Sequence, residues 1–79
     1  MNNKKDNNIK KKLSSTEHIV VVYADKEDKE LFLMIFNELK QNYSLYSINK
    51  DKTYTLLGSG ASPLKLEERF KIEEVLKKS

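Results

Sequence analysis

The sequence predicts a small α+β domain of order β-α-β-β-α, a three-stranded antiparallel sheet with two helices on one face, preceded by a disordered basic arm. Three observations lead there. A β-branched run, Ile19-Val20-Val21-Val22-Tyr23, reads as a strand. Residues 25–41 contain neither Gly nor Pro and carry apolar residues at helical spacing. Two short alternating runs, 44–48 and 54–57, flank a polar five-residue turn.

Residues 1–16 form the arm. They hold five lysines (Lys4, Lys5, Lys10, Lys11, Lys12) against one acid (Asp6), which gives +4. The whole chain is +3, so residues 17–79 sum to −1. The arm has no hydrophobic periodicity, with Ile9 and Leu13 isolated, and buries too little to offset its ordering entropy. The remainder, 17–79, is read as a single domain.

Each element follows from local pattern. Residues 18–24 are apolar without a break, which predicts a strand buried on both faces. Asp25 then reads as the N-cap of a helix over 25–41. Glu27, Asp28 and Glu30 suit the positive end of its dipole, and a cation site there lacks the glycine turn that calcium loops need. Phe32, Ile35, Phe36, Leu39 and Tyr43 make one stripe. Leu31, Leu33 and Met34 fall outside it, so the six-residue apolar run also fits a strand; the uninterrupted length favours helix.

In the hairpin, the register that pairs Ile48 with Tyr54 and Tyr46 with Leu56 gathers all four on one face, read as the core face. It leaves Leu45, Ser47, Thr55 and Leu57 on the other. Residues 58–61 read as a flexible link. Ser62 caps a last helix with Pro63 at its first position, although Leu66 and Phe70 fall outside the arc of Leu64, Ile72, Val75 and Leu76. A start near Glu67 therefore competes with one at Pro63.

This order resembles the first five elements of the β-α-β-β-α-β ferredoxin-like plan, without its last strand. The resemblance places strand 18–24 beside strand 54–57, with its other edge uncovered. An open Ile19, Val20, Val21, Val22 edge invites pairing, so a second copy, a protein partner or part of the arm is expected to cover it, a homodimer first. A body of this size buries only about 60% of its unfolded surface and has no cysteine to staple it, which also favours self-association.

The function read from the sequence is a small non-enzymatic accessory or regulatory protein that binds nucleic acid, DNA before RNA. The arm lysines contact phosphates, and Lys50 and Lys52 at the hairpin tip with Arg69 on the last helix are the body's candidates. The simpler reading of the arm is a solvated tail shaped by an AT-rich genome, since lysine and asparagine share A-rich codons. The alternative function is a protein-interaction module or inhibitor that uses an exposed sheet edge or face. Tyr46 and Tyr54 suit base stacking, but their aliphatic neighbours favour core packing. The loop before the last helix lacks the Gly-Lys-Ser/Thr ending of a phosphate loop. His18 has no partner pattern for catalysis, and nothing in the sequence calls for a cofactor or a metal. No apolar run approaches the roughly 20 residues of a membrane helix, and the missing cysteines fit a cytoplasmic setting.

Overall fold

The computed structural model describes residues 13–78. Its order is β1 (Glu17–Ala24), β2 (Glu30–Asn37), β3 (Asn42–Ile48), β4 (Tyr54–Gly60), α1 (Pro63–Arg69) and α2 (Ile72–Lys78). The α+β class, the antiparallel sheet and the pair of helices are as expected. The sheet, however, has four strands in the order β1-β2-β3-β4, so it is a simple meander and not a truncated ferredoxin-like plan.

The difference arises in residues 25–41, which form a turn, a strand and a second turn in place of a helix. Asp25 still accepts backbone protons, but in a hairpin turn: its Oδ1 takes the N–H of Glu27 at 2.8 Å and of Lys29 at 2.9 Å. Its own N–H donates to the Lys29 carbonyl at 2.9 Å, and Asp28 sits at φ 64°. A three-residue loop with its last residue left-handed is a common hairpin closure. The acids 25–30 thus belong to a turn and a strand start, not to a helix N-terminus. The apolar run 31–36 becomes the interior of β2, a strand flanked on both sides, and it is apolar on both faces for that reason.

The β3–β4 hairpin keeps the predicted register: Tyr46 pairs with Leu56, Ser47 with Thr55 and Ile48 with Tyr54. Its turn repeats the geometry of the first, with Asn49 N–H on the Thr53 carbonyl at 2.8 Å and Lys52 at φ 72°. Residues 58–60, expected as a link, continue β4 beyond a bulge at Leu57. The core face is the reverse of the expected one. Met34, Leu45, Leu66 and Ile72 form the buried cluster, with Leu57, Phe70, Tyr43 and Phe32 packed on it. Tyr46 and Tyr54 lie on the opposite side of the sheet.

Strand 18–24 is found where expected, extended by Glu17, but it pairs with β2 and lies at the far edge from β4. It is half-exposed, not buried on both faces, because only one neighbour flanks it.

The last helix is two. Ser62 Oγ caps α1 through the Lys65 N–H at 3.3 Å, with Pro63 in the first turn. At 100° per residue, the pairs Leu66/Phe70 and Ile72/Leu76 of one continuous helix would face directions about 120° apart. Lys71, left-handed at φ 52°, interrupts the helix and turns both pairs onto the sheet. Leu64 is left 61% exposed.

Candidate functional site: the open sheet face

Directly opposed strand residues share a face, so the pairings sort the sheet. His18, Val21 and Tyr23 of β1 lie opposite Phe36, Met34 and Phe32, on the helix side. Ile19 and Val22 lie opposite Ile35 and Leu33, on the other side. Through β3 and β4 that second face continues as Ser44, Tyr46 and Ile48, then Ser59, Leu56 and Tyr54. At one end the face carries Glu17, opposite Asn37, which is in turn opposite Asn42; its other residues are uncharged. Both helices lie on the first face, where their buried residues join Met34 and Leu45; among the described residues no helix or strand packs on the second.

The second face has a closed centre and an open periphery. Leu33 and Ile35, at its centre, are each 1% exposed. Around them Leu56 is 55% exposed, Val22 38%, and Val20 50% at the β1 bulge. The polar pair on the face satisfies itself, Ser44 Oγ to Ser59 Oγ at 2.9 Å. Sequence reasoning missed this face because it assigned β2 to a helix. Once β2 is a central strand, Leu33 and Ile35 mark the face directly.

Of the expected interface residues, Ile19 and Val22 belong to this face, Val21 faces the helix side, and Val20 is the extra residue of the bulge. A second irregularity follows at Tyr23/Ala24. Bulges twist an edge strand and blunt it against strand addition.

The expected basic residues are divided. Lys4, Lys5, Lys10, Lys11 and Lys12 lie outside the described residues. Lys50 and Lys52 line an open cleft of about 400 Å³ between the two hairpin tips, with Lys29 but also Asp28 and Glu30. Arg69 is elsewhere, on α1, its guanidinium 5.6 Å from the Phe70 ring centroid. Among the described residues no group of His, Asp and Glu is placed to hold a metal ion. His18 Nε2 lies 3.3 Å from Glu38 Oε2 at the surface.

One titrating contact joins the layers. The Tyr23 hydroxyl donates to the Glu67 carboxylate. Burial first, and then the Glu67 hydrogen bond and charge, push the phenol above its ordinary range, so Tyr23 stays a protonated donor. No described helix is long and apolar enough to cross a membrane. No family model, curated protein or solved structure matches the chain.

Proposed function

We propose that this chain is a small, non-enzymatic protein-interaction module whose interface is the second sheet face. The carrying observation is that face itself: a four-stranded surface whose one charged residue is Glu17 at its end, with Leu56 and Val22 exposed and no described helix or strand packed on it. Large apolar side chains left exposed on a sheet face that no described element covers suit a contact site. The expectation of a protein partner is therefore kept, and its place moves from the β1 edge to the face.

Solvent paramagnetic relaxation of the Ile, Leu and Val methyl groups in the dilute full chain tests the reading. The methyls of Val22 and Leu56 are expected to relax like those of exposed Leu64, and more strongly than those of buried Leu33 and Ile35. Protection of these methyls in the monomer would mean that the chain covers its own face, and the reading would be lost.

A second reading, contact with nucleic acid, is favoured by the convergence of Lys29, Lys50 and Lys52 at the hairpin tips. It stands second because Asp28 and Glu30 share that cleft and Arg69 does not reach it. Its test is a titration of duplex and single-stranded oligonucleotides with the full chain at two salt concentrations. Binding that weakens with salt, and weakens further in Lys50→Glu/Lys52→Glu, supports it. No binding at low salt removes it.

A further inference from the structure

We infer that the chain closes part of its own open sheet edge: residues 11–13 fold back along residues 17–19 of β1 as a short fifth strand. This goes beyond the interaction-module reading, because it concerns the edge of the sheet and not its face. β1 has a hydrogen-bonded neighbour on one side only. The chain enters it through a turn, in which the Glu17 N–H donates to the Ser14 carbonyl at 3.1 Å. Peptide geometry fixes the side on which that turn lies. The Thr16 C=O and the Glu17 N–H belong to one trans peptide unit and point in opposite directions. The Thr16 carbonyl accepts the N–H of Glu38, just past the end of β2, at 2.8 Å, so it points to the β2 side. The Glu17 N–H, and the Ser14 carbonyl that it meets, therefore lie on the open side.

A four-residue turn of this kind reverses the chain. The residues before Ser14 thus start antiparallel to β1, along its open edge. Leu13, the first of them, is partly buried. The turn also sets the register: Ser14 opposite Glu17, Leu13 opposite His18 and Lys12 opposite Ile19. Two side-chain bonds hold the turn, Ser14 N–H to Glu17 Oε1 at 3.0 Å and Ser14 Oγ to Thr16 Oγ1 at 3.1 Å.

Backbone groups alternate sides along a strand, so Ile19 presents its N–H and C=O to the same side as Glu17, where Lys12 pairs with both. Lys12 then shares a face with Glu17, as a cation diagonal to a carboxylate. Lys11 and Lys12 lie outside the described residues; the turn and Leu13 lie within them. The ladder stops at Val20, where the β1 bulge breaks the edge. Lysines on an edge strand discourage further strand addition, so these arm cations protect the edge that they cover.

The experiment is amide hydrogen exchange of the full chain by nuclear magnetic resonance, from about 50 µM to 1 mM. The Ile19 N–H is expected to exchange about tenfold or more slowly than an open amide, equally at every concentration. Leu13 and His18, a non-hydrogen-bonded pair, are expected to show a cross-strand Hα–Hα nuclear Overhauser contact. Lys12→Pro removes the donor that faces β1 and should return Ile19 to open exchange. Lys11→Pro, whose lost N–H faces solvent, should leave Ile19 protected. The Leu45 amide, in β3, reports that the body stays folded in both variants. Free exchange at Ile19 in the parent, or no Leu13–His18 contact, overturns the inference without any variant. Protection that appears only as concentration rises also overturns it, by placing a second copy on the edge. So does protection that survives Lys12→Pro.

Discussion

At the scale of single residues, two glycines in β4 show how closely the helix layer sits. A Cβ on Gly58 would lie 3.1 Å from two ring carbons of Phe70 and 3.7 Å from a Leu66 methyl, whereas one on Gly60 meets nothing within 4 Å. Gly58→Ala must displace a ring that packs on the core, so it is expected to cost about 1 kcal/mol. Gly60→Ala, with no steric opposition and no positive φ, is expected to gain about 0.5 kcal/mol by restricting the unfolded chain. Urea midpoints of the two variants should therefore move in opposite directions. Tyr23 supplies a second test. Its folded phenol titrates above the value of about 10 that it has when unfolded. Its contribution is complete below pH 10. Above that, the unfolded state releases the proton first, so stability falls as pH rises. Tyr23→Phe is expected to lose about 1 kcal/mol at neutral pH and to flatten the decline measured above pH 10.

Among the elements, the turns explain what the sequence concealed. Four non-glycine residues, Asp28, Gln41, Lys52 and Lys71, hold positive φ, and no described glycine does. Glycine is the usual mark of a left-handed position, and here the β1–β2, β2–β3 and α1–α2 junctions lack it. Residues 25–41 could then be read through as a helix. The polar stretch 49–53 was legible because two alternating runs bracket it, and Ser62-Pro63 was legible because a cap with proline behind it has one common meaning. The six apolar residues 31–36 were ambiguous by themselves: a central strand and a buried helix both read as continuous hydrophobicity. The Lys71 junction is the most accessible of these to test. A left-handed L-residue carries a steric cost that glycine avoids. Lys71→Gly is thus expected to raise stability by about 1 kcal/mol, and Lys71→Val to lower it by more than that, in thermal melts followed at 222 nm.

For the whole molecule, one error of element type determined which face was read as core. The register of the β3–β4 hairpin was correct residue for residue, but register alone does not say which side the helices take. That is decided by Leu66, Phe70, Ile72 and Leu76, which meet Leu45 and Leu57 once Lys71 breaks the helix. The candidate site was consequently the part least visible in the sequence, since it consists of what the helices leave uncovered. A body of this size, with a sheet apolar on two faces and helices on one, depends for part of its stability on whatever meets the other. If a partner does so, the dependence follows mass action: stability rises with the logarithm of the partner's concentration. In Leu56→Lys the Tm of the chain alone should be close to that of the parent, because an exposed side chain contributes little to the isolated fold. A Leu56→Lys variant that melts several degrees below the parent would instead place Leu56 in the stability of the single chain.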